Sequence, residues 1–132
     1  MKVLQLNTVS GISSTGRIAT DIAQMLESQG NDSKIIYGIG NSPEHLQKYG
    51  YKIGSKFSVH LHSGISQFFD GEGYGSQKAT RQAIAFAKEY NPDIIHMHNV
   101  HGCFLNIKIW FDYLKTVKKP IVWTMHDCWS FT

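Results

Sequence analysis

The sequence predicts an α/β protein with a Rossmann-like, doubly wound, mainly parallel sheet and helices on both of its faces. Short apolar runs alternate with longer segments of helical periodicity, which is the order of parallel βαβ units. A length of 132 residues, 42% of them hydrophobic, indicates one globular domain over 1–132. Polar clusters follow three of the apolar runs, and such sheets bind ligands at the carboxyl ends of their strands.

The first third of the chain predicts a strand, a helix and a second, parallel strand. Residues 2–8 and 33–38 are the strand-like runs, and the segment between them has helical periodicity. Ser14 or Thr15 is expected to cap the helix, and Gly30 to end it. The apolar side chains at helical spacing are Ile18, Ile22, Met25 and Leu26.

The rest of the chain continues the alternation, with prolines at two boundaries. Asn91-Pro92 ends a helix near Tyr90, and Pro120 opens the last strand. The strand of 93–98 is expected beside the first strand, across the point where the strand order reverses. The other predicted elements are a short strand over 51–53, a helix over 56–69, a helix over 105–118 and a strand over 121–126.

Charge and cysteine content narrow the class of protein. A net charge of +3 without any Lys/Arg-rich run predicts no nucleic-acid partner. Cys103 and Cys128 form no CxxC pair, which favours a reducing compartment, and Cys128 is interpreted as a small buried residue. A membrane span needs roughly 20 apolar residues in a row, so a cytoplasmic protein is expected.

The polar loop "SGISSTGR", residues 10–17, leads into the first helix. Free N–H groups at a helix N-terminus favour an anion, and Gly11 and Gly16 would let the backbone approach it closely. Hydroxyl donors at Ser13, Ser14 and Thr15 would add to such a site. The loop lacks the G-x-G-x-x-G and Walker patterns, and a tight turn with an ordinary cap remains the alternative.

Two histidine-rich clusters follow the strands of 93–98 and 121–126. His96 is interpreted as a hydrogen-bonded core residue, whereas His98, Asn99 and His101 are expected nearer the edge of the sheet. The pair His126-Asp127 suits a general base or a ligand-binding pair. Histidines of this kind could bind zinc, but no carboxylate is expected to complete the site, so no metal is predicted.

Taken together, "MKVLQLNTVSGISSTGRIATDIAQML", "NPDIIHMHNVHGCFLNI" and "KPIVWTMHDCWSFT" resemble the N-terminal domain of family 4 glycosyltransferases of the GT-B fold, bacterial surface-polysaccharide type. The resemblance covers nearly the whole chain. It implies an acceptor-side domain, incomplete at its C-terminus, that faces a donor domain carrying an E-x7-E motif. None of the four glutamates here has a second glutamate eight residues later, so the donor domain is expected to be absent.

The resemblance also implies an activity. Such enzymes transfer a sugar with retention from a nucleotide-diphosphate sugar, used as co-substrate, to a glycan or lipid-linked acceptor, without a bound metal. His126 would lie at the transfer centre and hydrogen-bond the transferred sugar, and this chain alone is expected to be inactive. The residues implied in binding the substrates are Gly11, Ser13, Ser14, Thr15, Gly16, Arg17, His98, Asn99, His101 and Asp127.

Two other functions stay open from the residues themselves: a stand-alone flavodoxin-like module that binds a small anion, and a His-ligated metal hydrolase. Two surfaces could also bind partners. Residues 56–75, with Lys48, Lys52 and Lys56 nearby, are expected to be mobile and to contact the inner membrane surface or a lipid-linked acceptor. The side of the sheet beyond 121–126 is expected to be open or covered by a homodimer.

Overall fold

A computed structural model describes residues 1–54 and 76–128 of the chain. In this part of the chain, helices and strands alternate as in a Rossmann-like domain. They are β1 (Lys2–Leu6), α1 (Ser13–Ser28), β2 (Asp32–Tyr37), a 3-10 turn (Glu44–Leu46), β3 (Gly50–Lys52), α2 (Gln77–Tyr90), β4 (Ile94–Met97), α3 (Ile107–Thr116) and β5 (Ile121–Trp123). The predicted helix over 56–69 and the glycine-rich segment after it lie outside the described residues.

The sheet has the order β3-β2-β1-β4-β5, and every pairing is parallel. Leu4 of β1 pairs with Lys34 on one side and Ile95 on the other, so β1 is central. The connection from β1 leads to β2, and the chain later returns to place β4 on the opposite side of β1. The predicted fold class is therefore confirmed, as is the reversal of strand order between β1 and β4.

Two of the strands end two or three residues before their predicted carboxyl ends. β1 ends at Leu6 and β5 at Trp123, where 2–8 and 121–126 were expected. The hydrogen-bond ladder between β4 and β5 stops early because β4 itself ends at Met97. The Met97 carbonyl accepts the last hydrogen bond, from the Thr124 N–H, at 2.9 Å. His126 therefore lies in the loop after the strand and not on it.

The larger core lies between the sheet and the helices α2 and α3. It contains Leu4, Leu6, Ile95 and Met97 from the sheet, with Trp110 of α3 fully buried against them. The Trp110 indole N–H points to the Met97 sulfur at 3.4 Å. Asn106, which the sequence analysis missed as a cap, accepts the Ile109 N–H at 3.0 Å and starts α3 later than predicted.

Helix α1 covers the other face, but of the apolar side chains expected only Leu26 is buried. Its buried residues are Gly16, Ala19, Thr20, Ala23 and Leu26, whereas Ile18 and Met25 are 41% and 51% exposed. Small residues face the sheet because the helix lies very close to it: the Gln5 side chain reaches the Ala19 carbonyl at 2.9 Å. Larger side chains at these positions would hold the helix away from the sheet.

The ends of α1 confirm one sequence prediction and contradict another. Gly30 adopts a left-handed conformation after the helix and donates to the Glu27 carbonyl at 2.9 Å, as expected of a C-terminal glycine. At the start, the capping position is Ile12, and no side chain in the described residues caps the helix. The prediction that Ser14 or Thr15 caps it is wrong, since the helix already begins at Ser13.

Strand β5 forms one edge of the sheet, and the apolar side chains of Ile121 and Val122 are exposed along it. Whether this side of the sheet is open or covered by a homodimer stays a prediction. No helix among the residues described has the length and apolar character that a bilayer crossing requires.

Candidate functional site

The loops after β1 and β4 are bound to each other at the carboxyl edge of the sheet. The Asn7 side-chain oxygen accepts the Asn99 N–H at 3.2 Å. The Thr8 hydroxyl lies 3.2 Å from the carbonyl of Asn99 and 2.9 Å from that of His101, so it donates to this pair of acceptors. Parallel strands bring their ends to one edge, and these bonds hold the two loops in fixed relative positions.

The glycines of the first loop are explained by packing within the protein. Gly11 has a φ of +70°, and a Cβ there would lie 2.7 Å from Pro43 Cδ. A Cβ on Gly16 would lie 3.0 Å from Val9 Cγ2. Packing within the protein therefore disfavours a side chain at both positions, and the predicted close approach of a ligand to these glycines stays a prediction.

The polar residues of this loop surround the start of α1. Ser13, Ser14 and Arg17 are exposed, and Thr15 is half-buried with its hydroxyl 3.4 Å from the Asn7 amide nitrogen. The first-turn N–H groups of α1 thus emerge beside exposed hydroxyl groups and an exposed guanidinium. Whether these residues bind an anion remains a prediction.

A buried chain of side chains connects the sheet to His126. His98 is 1% exposed, and its Nε2 lies 2.8 Å from Gln5 Oε1. On its other side, His98 Nδ1 lies 3.0 Å from His126 Nε2. Gln5 is also fully buried and donates to the Ala19 carbonyl at 2.9 Å and to Ser33 Oγ at 3.1 Å.

Burial controls the charge of the histidines in this series of hydrogen-bonded side chains. It lowers the pKa of His98 to about 3, and the neighbouring His96 and His126 act in the same direction. His98 is therefore neutral near pH 7. Burial also lowers the pKa of His96, with His126 contributing.

The positions of His96 and His98 are the reverse of those predicted. His98 is the fully buried histidine, whereas His96 is half-buried and bonds to the Thr124 hydroxyl at 2.8 Å. The two rings do share a face of the sheet, with centroids 4.1 Å apart. Gln5 and His126 occupy both ring nitrogens of His98, while the hydrogen bond of His96 is to Thr124 in the exposed segment after β5.

His101 and Asp127 join the loops after β4 and β5 nearer the solvent. His101 Nε2 lies 2.7 Å from Asp127 Oδ2, and both side chains are partly exposed. A second contact joins the same parts of the chain: the Trp123 indole N–H donates to the His98 carbonyl at 3.0 Å. These contacts bind the second and third loops of the edge to each other, as Asn7 and Thr8 bind the first and second.

A small pocket lies where the second and third loops meet. Its lining includes five of the predicted site residues, and it is formed by His98, Asn99, Val100, His101, Trp123, Met125, His126 and Asp127. Residues 11–17 do not contribute to the described lining of this pocket. The structure thus brings together the predicted residues after β4 and β5, and the predicted proximity of His126 to Gly11–Gly16 remains untested.

The cysteine and metal expectations have different outcomes. Cys128 is exposed, so its interpretation as a buried residue is wrong; it lies in the loop after β5, beyond the sheet ladder. The Asp127 carboxylate does lie next to a histidine, His101, but whether a carboxylate completes a metal site stays untested. Among residues 1–54 and 76–128, no three His, Cys, Asp or Glu side chains are grouped as metal ligands.

Sequence reasoning missed Gln5, Asn7 and Trp123, which position the residues it did find. The signal for Gln5 was present in the run "VLQL", where one amide interrupts an apolar strand. Since a central strand of a parallel sheet is covered on both faces, a polar residue within it must have hydrogen-bond partners.

Comparison with known proteins agrees with the earlier resemblance. The family model described as Glycosyltransferase Family 4 matches residues 15–132. The chain is 27% identical to WcaC of Escherichia coli (strain K12), a protein named as a colanic acid biosynthesis glycosyl transferase; the match covers 100% of this chain and 35% of WcaC. A solved structure, Spinosyn Rhamnosyltransferase SpnG, matches 95% of this chain and 35% of its own, with 15% identity and a TM-score of 0.47.

The chain thus spans about a third of the length of these two proteins. The family model, in contrast, extends from the first turn of α1 through every later element of the domain, and it includes the pocket residues from His98 to Asp127. Because that match covers far more than half of the sequence, the chain belongs to glycosyltransferase family 4.

Proposed function

We propose that this chain is the acceptor-side, N-terminal portion of a retaining glycosyltransferase of the hexosyltransferase class. The enzyme would move a sugar from a nucleotide-diphosphate sugar to a glycan or lipid-linked acceptor. The observation that carries the proposal is the pocket where His126, His98, Asn99, His101 and Asp127 converge at the carboxyl edge of the sheet. Family membership supports the reaction, and the name of WcaC supports a polysaccharide as the acceptor class.

His126 is suited to hold a sugar. One of its ring nitrogens is occupied by His98, which leaves the other for a ligand hydroxyl. An imidazole held in this way orients the transferred sugar and does not act as the nucleophile. Positioning of this kind contributes to rate because it is in place before the reaction starts.

The loop of residues 10–17 would bind the diphosphate of the donor. Its support is the uncapped start of α1, where backbone N–H groups and the helix dipole favour negative charge, together with the exposed Ser13, Ser14 and Arg17. Charge on the leaving diphosphate would be neutralised by such groups and by a donor domain, so the proposal includes no metal and no permanently bound cofactor.

The proposed setting is the cytoplasm, with peripheral contact at the inner membrane face where a lipid-linked acceptor would be found. The chain alone should be inactive, because transition-state stabilisation requires both walls of a closed cleft. A homodimer through the exposed β5 edge is a second proposed contact, since that edge presents Ile121 and Val122 to solvent.

The test uses an intact enzyme in which this chain is joined to a donor domain. Radiolabelled nucleotide-sugars are screened against membrane and glycan acceptors, and the anomeric configuration of the product is read by NMR. Transfer with retention that persists in EDTA supports the proposal. Transfer with inversion, strict dependence on a metal, or no transfer with any donor would contradict it.

A further inference from the structure

The buried chain from Gln5 to His126 contains enough contacts to assign every proton in it. It begins at the Ala19 carbonyl in α1 and at Ser33 in β2, passes through Gln5 in β1 and His98 after β4, and ends at the pocket. Gln5 and His98 are both buried, so water does not compete for these bonds.

The orientation of the Gln5 amide follows from its partners. The Ala19 backbone carbonyl can only accept, so the Gln5 atom 2.9 Å from it must be the NH2 nitrogen. The second hydrogen of that group points to Ser33 Oγ at 3.1 Å. The remaining oxygen, Oε1, faces His98 Nε2 at 2.8 Å and can only accept, which requires a hydrogen on His98 Nε2.

The proton positions then propagate to His126. Because burial keeps His98 neutral, its Nδ1 carries a lone pair and must accept a hydrogen bond. The partner at 3.0 Å is His126 Nε2, which must therefore carry a hydrogen. The His126 ring lines the pocket, and its Nδ1 makes no hydrogen bond to the residues that the structure describes.

We infer that Gln5 and His98 are positioning residues that hold a proton on His126 Nε2, so that in the neutral form of the ring Nδ1 is the hydrogen-bond acceptor left for a ligand. The ligand chemistry that fits this atom is a hydroxyl donor, such as a hydroxyl of the transferred sugar. The identity of that ligand rests on the proposed function; the proton assignment does not.

The assignment is tested by ¹⁵N NMR of the 132-residue chain with labelled histidine at pH 8, where an ordinary imidazole is neutral. We expect long-range ¹H–¹⁵N spectra to show His126 Nε2 as the protonated nitrogen and Nδ1 as the lone-pair nitrogen. A His126 with its proton on Nδ1, or with an equal mixture of both tautomers, would overturn the inference in the wild-type protein, without any variant.

A matched pair of variants tests the role of His98. His98→Gln keeps a donor and an acceptor, so His126 should remain protonated on Nε2. His98→Met, of similar size but without these groups, should give a mixture of tautomers. An unchanged spectrum in His98→Met contradicts the role of His98, and if that variant fails to fold, the mixture must instead be found in Gln5→Met.

Gln5→Met removes the acceptor that holds the His98 proton on Nε2. His98 can then place its proton on Nδ1 and donate to His126, so the Nδ1-protonated form of His126 should appear. A His126 that keeps its wild-type spectrum in folded Gln5→Met would show that Gln5 plays no part in the assignment.

The intact enzyme separates this inference from the proposed function. In it, Gln5→Met should lower kcat about tenfold with a small change in the donor KM. The reason is that the variant misplaces one hydrogen-bond acceptor, His126 Nδ1, which acts on the sugar after it has bound. A wild-type Nε2 tautomer together with no glycosyl transfer would reject the proposed function and leave the positioning role intact. Normal kcat in a Gln5→Met enzyme with mixed tautomers would reject the catalytic use of the positioning.

Discussion

Acidification should destabilise this fold through His98, and the size of the effect can be derived from its burial. An imidazole has an ordinary pKa of about 6.5, whereas burial lowers the pKa of His98 to about 3 in the folded protein. Between these two values the unfolded chain binds a proton that the folded chain does not. The stabilising contribution of neutral His98 is therefore fully present above pH 6.5 and decreases as the pH falls below it.

The stability expected to be lost at pH 5 depends on the pKa of His98 in the unfolded chain and hardly on its pKa in the folded protein. Each pH unit below 6.5 costs about 1.4 kcal/mol, so pH 5.0 lowers the free energy of unfolding by about 2 kcal/mol. For a chain of 132 residues this corresponds to a fall in Tm of roughly 6 to 10 °C. His96 adds to the effect in the same direction, since burial lowers its pKa as well.

The assay is urea unfolding at pH 7.5 and pH 5.0 for three proteins. The wild type should lose about 2 kcal/mol more between these pH values than His98→Gln, in which the position cannot titrate. His45→Gln is the control, because His45 is exposed in the 3-10 turn, and its loss should equal that of the wild type. An equal loss in the wild type and in His98→Gln would refute the reasoning.

Three further predictions concern the loop, the helix and the pocket. Gly11→Ala should lower the free energy of unfolding by about 3 kcal/mol, because its Cβ would meet Pro43 in a left-handed backbone. Gly30→Ala, also left-handed but without any described neighbour within 4 Å of its Cβ, should lose only about 1 kcal/mol in the same urea titration, and equal losses would contradict the steric argument. Ala19→Leu should cost about 2 kcal/mol and Met25→Leu less than about 0.5 kcal/mol, and the reverse order in denaturant midpoints would reject the observed face of α1. In the intact enzyme, His126→Ala should lower kcat by roughly 10² per folded molecule, in addition to a fall in Tm from the lost hydrogen bond to buried His98, whereas a purely structural histidine would lower Tm and spare turnover per folded molecule.

The strand order could be predicted because it follows from a coarse pattern. Apolar runs that alternate with helical segments are compatible with few topologies, and the crossover rule places β4 beside β1. The buried face of α1 could not be predicted in the same way. Helix α1 has one face of large apolar residues and one face of small residues, and either face could pack on the sheet. The short distance between Gln5 and the Ala19 carbonyl shows that the small residues do so.

The candidate site could likewise be predicted from the sequence only in part. The clusters after β4 and β5 were expected at one edge, because parallel strands end there together, and the structure does unite His98, His101, His126 and Asp127 in one pocket. Which histidine is buried depends on what covers it, and residue spacing holds no such information. His98 is covered by Gln5, which lies 93 positions away in the chain.

The small residues of α1 connect the stability of the fold to the geometry of the site. Gly16, Ala19 and Ala23 bring the helix backbone close enough for the Ala19 carbonyl to hold the Gln5 amide. That amide orients His98, and His98 in turn holds His126 at the pocket. A larger residue at Ala19 would move the carbonyl away from Gln5, release the amide and remove the constraint on both imidazoles. Ala19→Leu should therefore give a mixed His126 tautomer in the NMR spectrum, whereas Met25→Leu on the exposed face should leave that spectrum unchanged. A stability loss in Ala19→Leu without any change at His126 would show that the helix packing and the site are independent.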